Sequence, residues 1–377
     1  ETPPKTMPAD WGIYPNLFNV EDRTFSFLED VLSEVIALFP SPYIHVGGDE
    51  AVKDQWQASP QIQERMRALG IKDEHGLQSY FIQRMEKFLN SRGRRLIGWD
   101  ETLEGGARPN ATCMSGGGSD GAVAAAAAGH DAVLSPWPTL YFDNRQSAFD
   151  TQPGRGRIIG LQEVYGFDPL PAQIEGEQRK HVLGMQANLW TEHMRTEQRV
   201  EHMAFPRAAA LAEVAWSPAE RLSWSDFQRR LAPQLERYEA LNIDYAKIPQ
   251  AFASFDADRR SHQLQTCSDK LVLSLEDDAP FSGPRETFLV DVMQPCWIFP
   301  AVDLSRFSSI QVDVGQVPFN FQIGKDRDAI KFARPRTELG ELEVRAECDG
   351  PVLAVLPLAP AHDQTAVTSL PAAKLSG

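Results

Sequence analysis

Apolar positions divide the chain into two textures. From residue 24 to 39, Phe25, Leu28, Leu32, Val35 and Phe39 recur at the spacing of one helical face, and Pro40 ends the run. The short β-prone segment Tyr43 to Val46 follows. A second helical stripe of Leu77, Tyr80, Phe81, Phe88 and Leu89 covers about His75 to Asn90, with Gly93 just beyond it. Strands are predicted at Arg95–Trp99, Ala111–Ser115 and Asp131–Ser135, and the last two flank an alanine-rich helix, Ala122–Ala128, closed by Gly129. Residues 137–180 then form a long connection holding Trp137, Tyr141, Asp143, Tyr165 and Asp168. A strand at Val182–Leu189, a helix over about 198–216 and helical patterning to about Tyr245 complete this part. Beyond it the pattern changes to short alternating runs, such as Phe288–Val292, Ser309–Val314 and Leu342–Ala346, broken by proline and glycine.

Strands that alternate with helices pair in parallel, because parallel neighbours need a crossover between them. Each predicted strand ends in glycines, aromatics or acids, which is where a (β/α) barrel gathers its active site. An open doubly wound sheet is the competing architecture, but no Gly-x-Gly-x-x-Gly segment follows any strand. The fold expected is therefore α/β, a TIM-type (β/α)8 barrel portion over residues 1–246. A small β-rich domain, read as a β-sandwich, follows over residues 247–377.

With 377 residues the chain exceeds one ordinary core, in keeping with two domains. The 52 acidic against 37 basic residues, a formal charge of −15, argue against nucleic acid as a partner. No apolar run approaches the ~20 residues that span a bilayer, so no membrane partner is expected. The opening Glu1-Thr2-Pro3-Pro4-Lys5 does not read as a signal peptide, which places any targeting segment upstream or among removed residues. Cys113 lies in an apolar strand and reads as a buried free thiol. Among Cys267, Cys296 and Cys348 any two could bridge in an oxidising compartment, and spacing does not choose the pair.

The most informative segment is Tyr43-Ile-His-Val-Gly-Gly-Asp-Glu50. Neighbouring strand residues face opposite ways, so Asp49 and Glu50 can serve one pocket only if the backbone leaves strand geometry before them. Gly47 and Gly48 permit that turn. The His-x-Gly-Gly-Asp-Glu signature, His45 to Glu50, resembles glycoside hydrolase family 20, the β-N-acetylhexosaminidases. Further segments match in the family's order: Gly98-Trp99-Asp100-Glu101 resembles its fifth-strand end, Tyr141-Phe142-Asp143 its seventh-strand loop, and Asn188-Leu189-Trp190-Thr191-Glu192 its eighth-strand end. Together they span roughly residues 10 to 217, and the C-terminal region is similar to the β-rich appendage of some bacterial members.

The resemblance implies a retaining exo-β-N-acetylhexosaminidase that removes terminal β-linked N-acetylglucosamine or N-acetylgalactosamine, from glycans or chitooligosaccharides, with no cofactor and no metal. In such enzymes the 2-acetamido oxygen of the sugar attacks the anomeric carbon and forms an oxazolinium. Glu50 would be the general acid and then base, and Asp49 would orient the acetamido N–H and stabilise its developing charge. Like charges in one site push pKa values apart, which suits that division. The same resemblance assigns Tyr141 to the acetamido carbonyl and Trp99 and Trp190 to the pocket walls. It assigns Asp143 and Glu192 to sugar hydroxyls, and makes His45 a structural support behind the acids. Asp100 and Glu101 fit a pocket pair or a structural pair equally well. The polymeric substrates of the family favour export to the periplasm or cell exterior.

The chain departs from the family pattern twice. It supplies only what resemble strands four to eight, so an N-terminal barrel segment, in the same precursor or a separate chain, is an expected partner. A non-catalytic glycan-binding fragment that needs that segment is the alternative function. A metal-dependent hydrolase using His45, Asp49 and Glu50 as ligands is a more distant one. Secondly, Gly116 and Gly117 stand where the family shows a Trp-Arg pair, which leaves one acetamido wall absent or supplied by Trp137. The pocket should therefore accept bulkier N-acyl groups. Comparing hydrolysis of N-acetyl and larger N-acyl glucosaminides checks this, and strict rejection of the larger groups contradicts it.

Overall fold

The computed structural model describes residues 12–103, 111–147, 150–247, 259–268, 270–277, 283, 285–299, 307–315, 330, 334–348, 350–358 and 367–375. Helix α1 (Asp22–Leu38) precedes strand β1 (Tyr43–His45), and α2 (Asp54–Ala58), α3 (Pro60–Leu69) and α4 (Glu74–Ser91) lead to β2 (Arg95–Trp99). Strand β3 (Thr112–Ser115), helix α5 (Asp120–Ala127) and strand β4 (Ala132–Leu134) follow. The long connection contains β5 (Asn144–Arg145), β6 (Gly154–Ile158) and α6 (Leu161–Tyr165) before β7 (Val182–Met185). Helices α7 (Glu197–Ala204), α8 (Arg207–Trp216) and α9 (Trp224–Ala240) complete the α/β portion.

Strands β1, β2, β3, β4 and β7 pair in parallel in that order, the sequential arrangement that one run of a (β/α) barrel supplies. Both faces of the sheet are covered, as parallel sheets require. Ile44 and Leu96 turn one way, into a cluster with Phe25 of α1 and Leu77, Met85 and Leu89 of α4. Cys113, Ala132 and Leu134 pack on Ala122 and Ala125 of α5. The alternate residues Tyr43, Ile97, Trp99, Met114 and Val133 form a separate layer on the other face. Burying each large side chain of this kind is worth about 1.5–3 kcal/mol, so the two-sided pattern sets the register.

The structure differs from the periodicity at three places. Phe39 was expected on the buried stripe of α1 but is exposed, because its backbone is already extended past the helix end. The helix expected over 198–216 is two helices, since Pro206 lacks the N–H that a continuous helix would use. The strand expected to reach Leu189 ends at Met185, after which Gln186 still donates to Leu134 O and Asn188 bridges Tyr141.

Among the described residues the C-terminal portion is β-rich, and its internal pairings are antiparallel. It comprises β8 (Gln265–Thr266), β9 (Val272–Glu276), β10 (Thr287–Asp291), β11 (Trp297–Ile298), β12 (Ser309–Ile310) and β13 (Asp313–Gly315). After them come β14 (Glu341–Arg345), β15 (Val352–Pro357), β16 (Val367–Ser369) and β17 (Ala373–Lys374). Pairs β12–β17, β13–β16 and β14–β15 share one apolar cluster around Ala354, Leu356 and Leu370. Cys267 and Cys296, next to the β8–β11 pair, form a disulfide with Cα atoms 5.5 Å apart, while Cys113 is a buried free thiol and Cys348 an exposed one. Strands β9 and β10 do not stay within the C-terminal portion. They extend β6 and β5 of the long connection into one four-stranded sheet, ordered β10-β9-β6-β5.

Three buried arginines hold that connection in place. Arg207, fully buried, donates to the carbonyls of Phe142, Asn144, Ile159 and Met203 at 2.6–3.1 Å and lies 4.4 Å from the Phe142 ring. Arg145 donates to Asp150 O and Gly156 O. Arg199 grips both oxygens of Asp150 at 3.0 and 2.8 Å. Replacing Arg207 by Met would leave buried carbonyls unsatisfied, at about 1–3 kcal/mol for each one not rescued by water. Urea unfolding of Arg207→Met should show a loss of at least about 3 kcal/mol.

Candidate functional site

Strand β1 ends at His45, and the backbone then leaves strand geometry through two left-handed glycines, Gly47 (φ 74°) and Gly48 (φ 98°). The turn is held at three points. Gly47 N donates to His45 Nδ1 at 3.0 Å, Trp99 N donates to Gly47 O at 3.0 Å, and Gln78 of α4 donates to Gly48 O at 2.7 Å. A Cβ on Gly48 would fall inside the methyl group of Thr102, whose hydroxyl is tied to Trp99 O at 2.7 Å. Glu50 itself has φ 52°, a conformation that non-glycine residues rarely adopt and that collects at functional sites. The turn therefore carries Asp49 and Glu50 off the strand axis, as the two glycines implied.

The electrostatics separate these groups. The Glu50 carboxyl is raised above its ordinary value by partial desolvation, then by the charge of Asp49, with Glu192 adding and Arg155 opposing. His45 accepts a backbone N–H at Nδ1, so its proton sits on Nε2, and desolvation lowers its pKa against the pull of Asp49. It supports the turn and stands edge-on to Trp99, ring centroids 5.3 Å apart.

The aromatic residues converge on one place. Trp99 and Trp190 are 6.0 Å apart, and Tyr141 and Trp190 6.4 Å. Burial pushes the Tyr141 hydroxyl up to about 12, so it stays a hydrogen-bond donor. Gly116 lies under this group: a Cβ there would come within 2.8 Å of the Trp99 ring and 3.4 Å of Tyr141 Oη. Trp99 thus occupies room that a larger residue at 116 would claim. Trp137 reaches the same spot through its backbone, N to Gly116 O at 2.7 Å, while its 39% exposed ring faces Arg157 at the rim.

Asp143 is buried, and burial pushes it up to about 6 despite Arg155, whose Nε lies 2.6 Å from Asp143 Oδ2. Its second oxygen, Oδ1, is buried without a hydrogen-bond partner. Glu192 follows Trp190 in a short 3-10 turn (Thr191–His193), exposed, and its charge bears on both Glu50 and Asp143. His45, Asp49 and Glu50 are exposed too, since β1 is an edge strand among the described residues.

Arg155 is not among the residues singled out from sequence, and Glu101 belongs to the pair that fits a pocket or a structural role equally well. Glu101 is raised to about 7 by burial, then by the charges of Asp100 and Asp49. Asp100 is structural: it accepts from Gly116 N at 3.2 Å and packs against Gly121. Arg155 lies in the glycine-punctuated run Gly154-Arg-Gly-Arg157, where no local pattern marks it. Among the described residues no group of three or more His, Cys, Asp and Glu is arranged to hold a metal ion. No helix there is long and apolar enough to cross a membrane. A cleft of about 500 Å3 lined by Asn19, Glu21, Gln61 and Arg65 includes none of the residues above.

Residues 2–219 match the family described as glycosyl hydrolase family 20, catalytic domain. The chain is 44% identical over 238 residues to a beta-hexosaminidase of Porphyromonas gingivalis, covering 62% of this chain and 31% of that protein. A beta-hexosaminidase of Vibrio furnissii is 36% identical over 193 residues, 50% of this chain and 32% of that one. The chain thus spans about a third of the length of these curated relatives. Among solved structures, the GH20 exo beta-N-acetylglucosaminidase of Vibrio harveyi, in complex with N-acetylglucosamine, superposes with a TM-score of 0.55 and 31% identity, over 60% of this chain and 36% of that one. The GH20 beta-N-acetylhexosaminidase of Streptomyces coelicolor does so with a TM-score of 0.54 and 29% identity, over 66% and 48%.

The turn itself is open to test. Gly48→Ala combines an unfavourable φ with a collision at Thr102, so about 1–3 kcal/mol of stability should be lost. Adding Thr102→Ser, which removes the methyl group, should restore only the share due to the collision, as measured by urea unfolding.

Proposed function

Because the chain belongs to glycosyl hydrolase family 20, we propose that the protein is an exo-β-N-acetylhexosaminidase. It would release terminal β-linked N-acetylglucosamine or N-acetylgalactosamine with retention, through an oxazolinium formed by the substrate's own acetamido group. Family 20 is one of the substrate-assisted exceptions to the two-carboxylate scheme of glycosidases. The observation that carries the reading is the Gly47–Gly48 turn, which delivers two adjacent carboxylates beside an aromatic group.

Each role in this reading has a physical basis. Glu50, with its raised pKa, protonates the glycosidic oxygen as the bond breaks, then withdraws a proton from the water that opens the oxazolinium. Asp49 orients the acetamido N–H and offsets the charge that develops on nitrogen. The Tyr141 hydroxyl donates to the acetamido carbonyl, and Trp99 and Trp190 exclude water from that group. The unpartnered Asp143 Oδ1 accepts from a ring hydroxyl, with Glu192 on the same side. The Cys267–Cys296 bridge supports an exported protein, since such bonds persist in oxidising compartments.

A second reading, a glycan-binding chain whose hydrolysis requires a further barrel segment, is favoured by the exposure of His45, Asp49 and Glu50 along the edge strand. Saturable binding of N-acetylglucosamine with no cleavage of its p-nitrophenyl glycoside would select it. Activity abolished by exhaustive EDTA would revive the metal-dependent alternative.

Glu50→Gln should lower turnover of substrates with poor leaving groups about 10²–10⁴-fold and spare activated aryl glycosides in part. Asp49→Asn should slow both about 10²–10³-fold. Equal and mild effects would contradict the division of labour. Because its pKa is raised, Glu50 keeps its proton above the usual carboxylate range. The alkaline limb of wild-type kcat/KM should therefore lie above the usual carboxylate range, and a pH–rate profile checks where it lies.

A further inference from the structure

Arg155 is the cation of the site, and its position depends on residues more than a hundred positions away. It sits in β6, where its N–H donates to Asp143 O at 2.9 Å while its side chain pairs with Asp143 Oδ2 at 2.6 Å. One edge of β6 is held by β5. The other is held by β9 of the C-terminal portion, with Gly154 opposite Ser274 and Arg155 opposite Leu273. Ser274 Oγ also donates to Gln152 O and is held by His262 Nε2 at 2.7 Å, and Thr287 Oγ1 donates to Thr151 O. Arg195, three residues beyond Glu192, pairs with Glu276 of β9 at 2.6 Å. The approach leaves no room at Gly156, where a Cβ would fall within Val272 and 2.9 Å from Leu289 Cδ1.

We propose that the C-terminal portion is a working part of the sugar site: by adding β9 to β6 it holds Arg155 on Asp143, and Arg155 is the positioning residue for that carboxylate. The inference rests on the function proposed above, in which Asp143 receives a sugar hydroxyl. Without Arg155, a buried carboxylate has lost its charge partner and takes a proton, turning an oriented acceptor into a group that can also donate. With Arg155, Oδ2 is engaged and Oδ1 is left as the buried oxygen without a hydrogen-bond partner. The ionisable groups that sense or surround this pair are Glu50, Glu192, Tyr141, His193, Arg199 and Arg207. The Arg155 charge depresses both Glu50 and Asp143, so its removal raises both.

The test uses the full chain and p-nitrophenyl N-acetyl-β-glucosaminide. Arg155→Met should raise KM about tenfold with a smaller change in kcat, and should move both limbs of the kcat/KM profile to higher pH. Arg155→Lys should recover part of the KM. Gly156→Val, which disturbs the seat of β9 and leaves the Arg155 side chain in place, should reproduce the KM rise. If it does not fold, Thr287→Val with Glu276→Gln trims the same docking contacts, and KM should rise as limited proteolysis after residue 247 accelerates. Unchanged KM and pH limbs in Arg155→Met, or unchanged KM where proteolysis shows the C-terminal portion loosened, would overturn the inference. Glu50→Gln separates the two levels. If it abolishes turnover while Arg155→Met is silent, only the positioning role falls, and if it is itself silent, the proposed function falls. Should the wild type bind sugar without cleaving it, the same variants are read as Kd for N-acetylglucosamine by calorimetry. A wild type that neither binds nor cleaves overturns both.

Discussion

The guanidinium of Arg207 is the constraint on which the site rests. A fully buried cation is tolerable only when most of its donors are engaged, and both terminal nitrogens of Arg207 donate to carbonyls from both ends of the 142–159 segment and from α7, while its Nε has no hydrogen-bond partner. The segment is irregular between its two short strands among the described residues, β5 and β6. By binding Phe142, Asn144 and Ile159 at once, Arg207 closes the segment into a defined loop. That loop carries Tyr141 and Asp143 at one end and Arg155 in its return strand. Arg145 and Arg199 tighten it from within through Asp150.

At the opposite side of the site the constraint is steric rather than electrostatic. Gly48 must approach Thr102 more closely than any side chain allows, and Gln78 holds its carbonyl. The chain emerging from this turn carries two adjacent acids, and Glu50 is raised by partial desolvation and by the charges of Asp49 and Glu192. The two halves of the site thus meet through charge: Arg155 from the loop opposes the shift that Asp49 and burial impose on Glu50.

Much of this was legible in the sequence where the determinant is local. The helical stripe of α4, the β-prone runs of β1 and β2, and the glycine pair before Asp49 each carry their own signal, and the structure places them as expected. The long connection reads as functional in the sequence, but its internal strands do not show there, because Gly154-Arg-Gly-Arg157 has no large apolar or β-branched residue. Phe39 and Pro206 show the same limit at element ends, where a cap or a missing donor outweighs periodicity. Glu101 was left open between pocket and structure, since nothing local reports the burial that raises it.

The sequence by itself determined the parallel α/β order, the strand-end turn bearing Asp49 and Glu50, and the family to which these belong, because each depends on contiguous residues and their backbone preferences. Only the tertiary structure decided which cysteines pair, which oxygen of Asp143 is free, and that the C-terminal strand β9 completes a sheet with β6. Those outcomes depend on which distant groups share a buried volume, where an unpaired charge or backbone group is costly. Such a cost has no footprint in any local run of residues. It appears only when Arg155 and Asp143, twelve positions apart, and Leu273, more than a hundred further on, are brought together in one place.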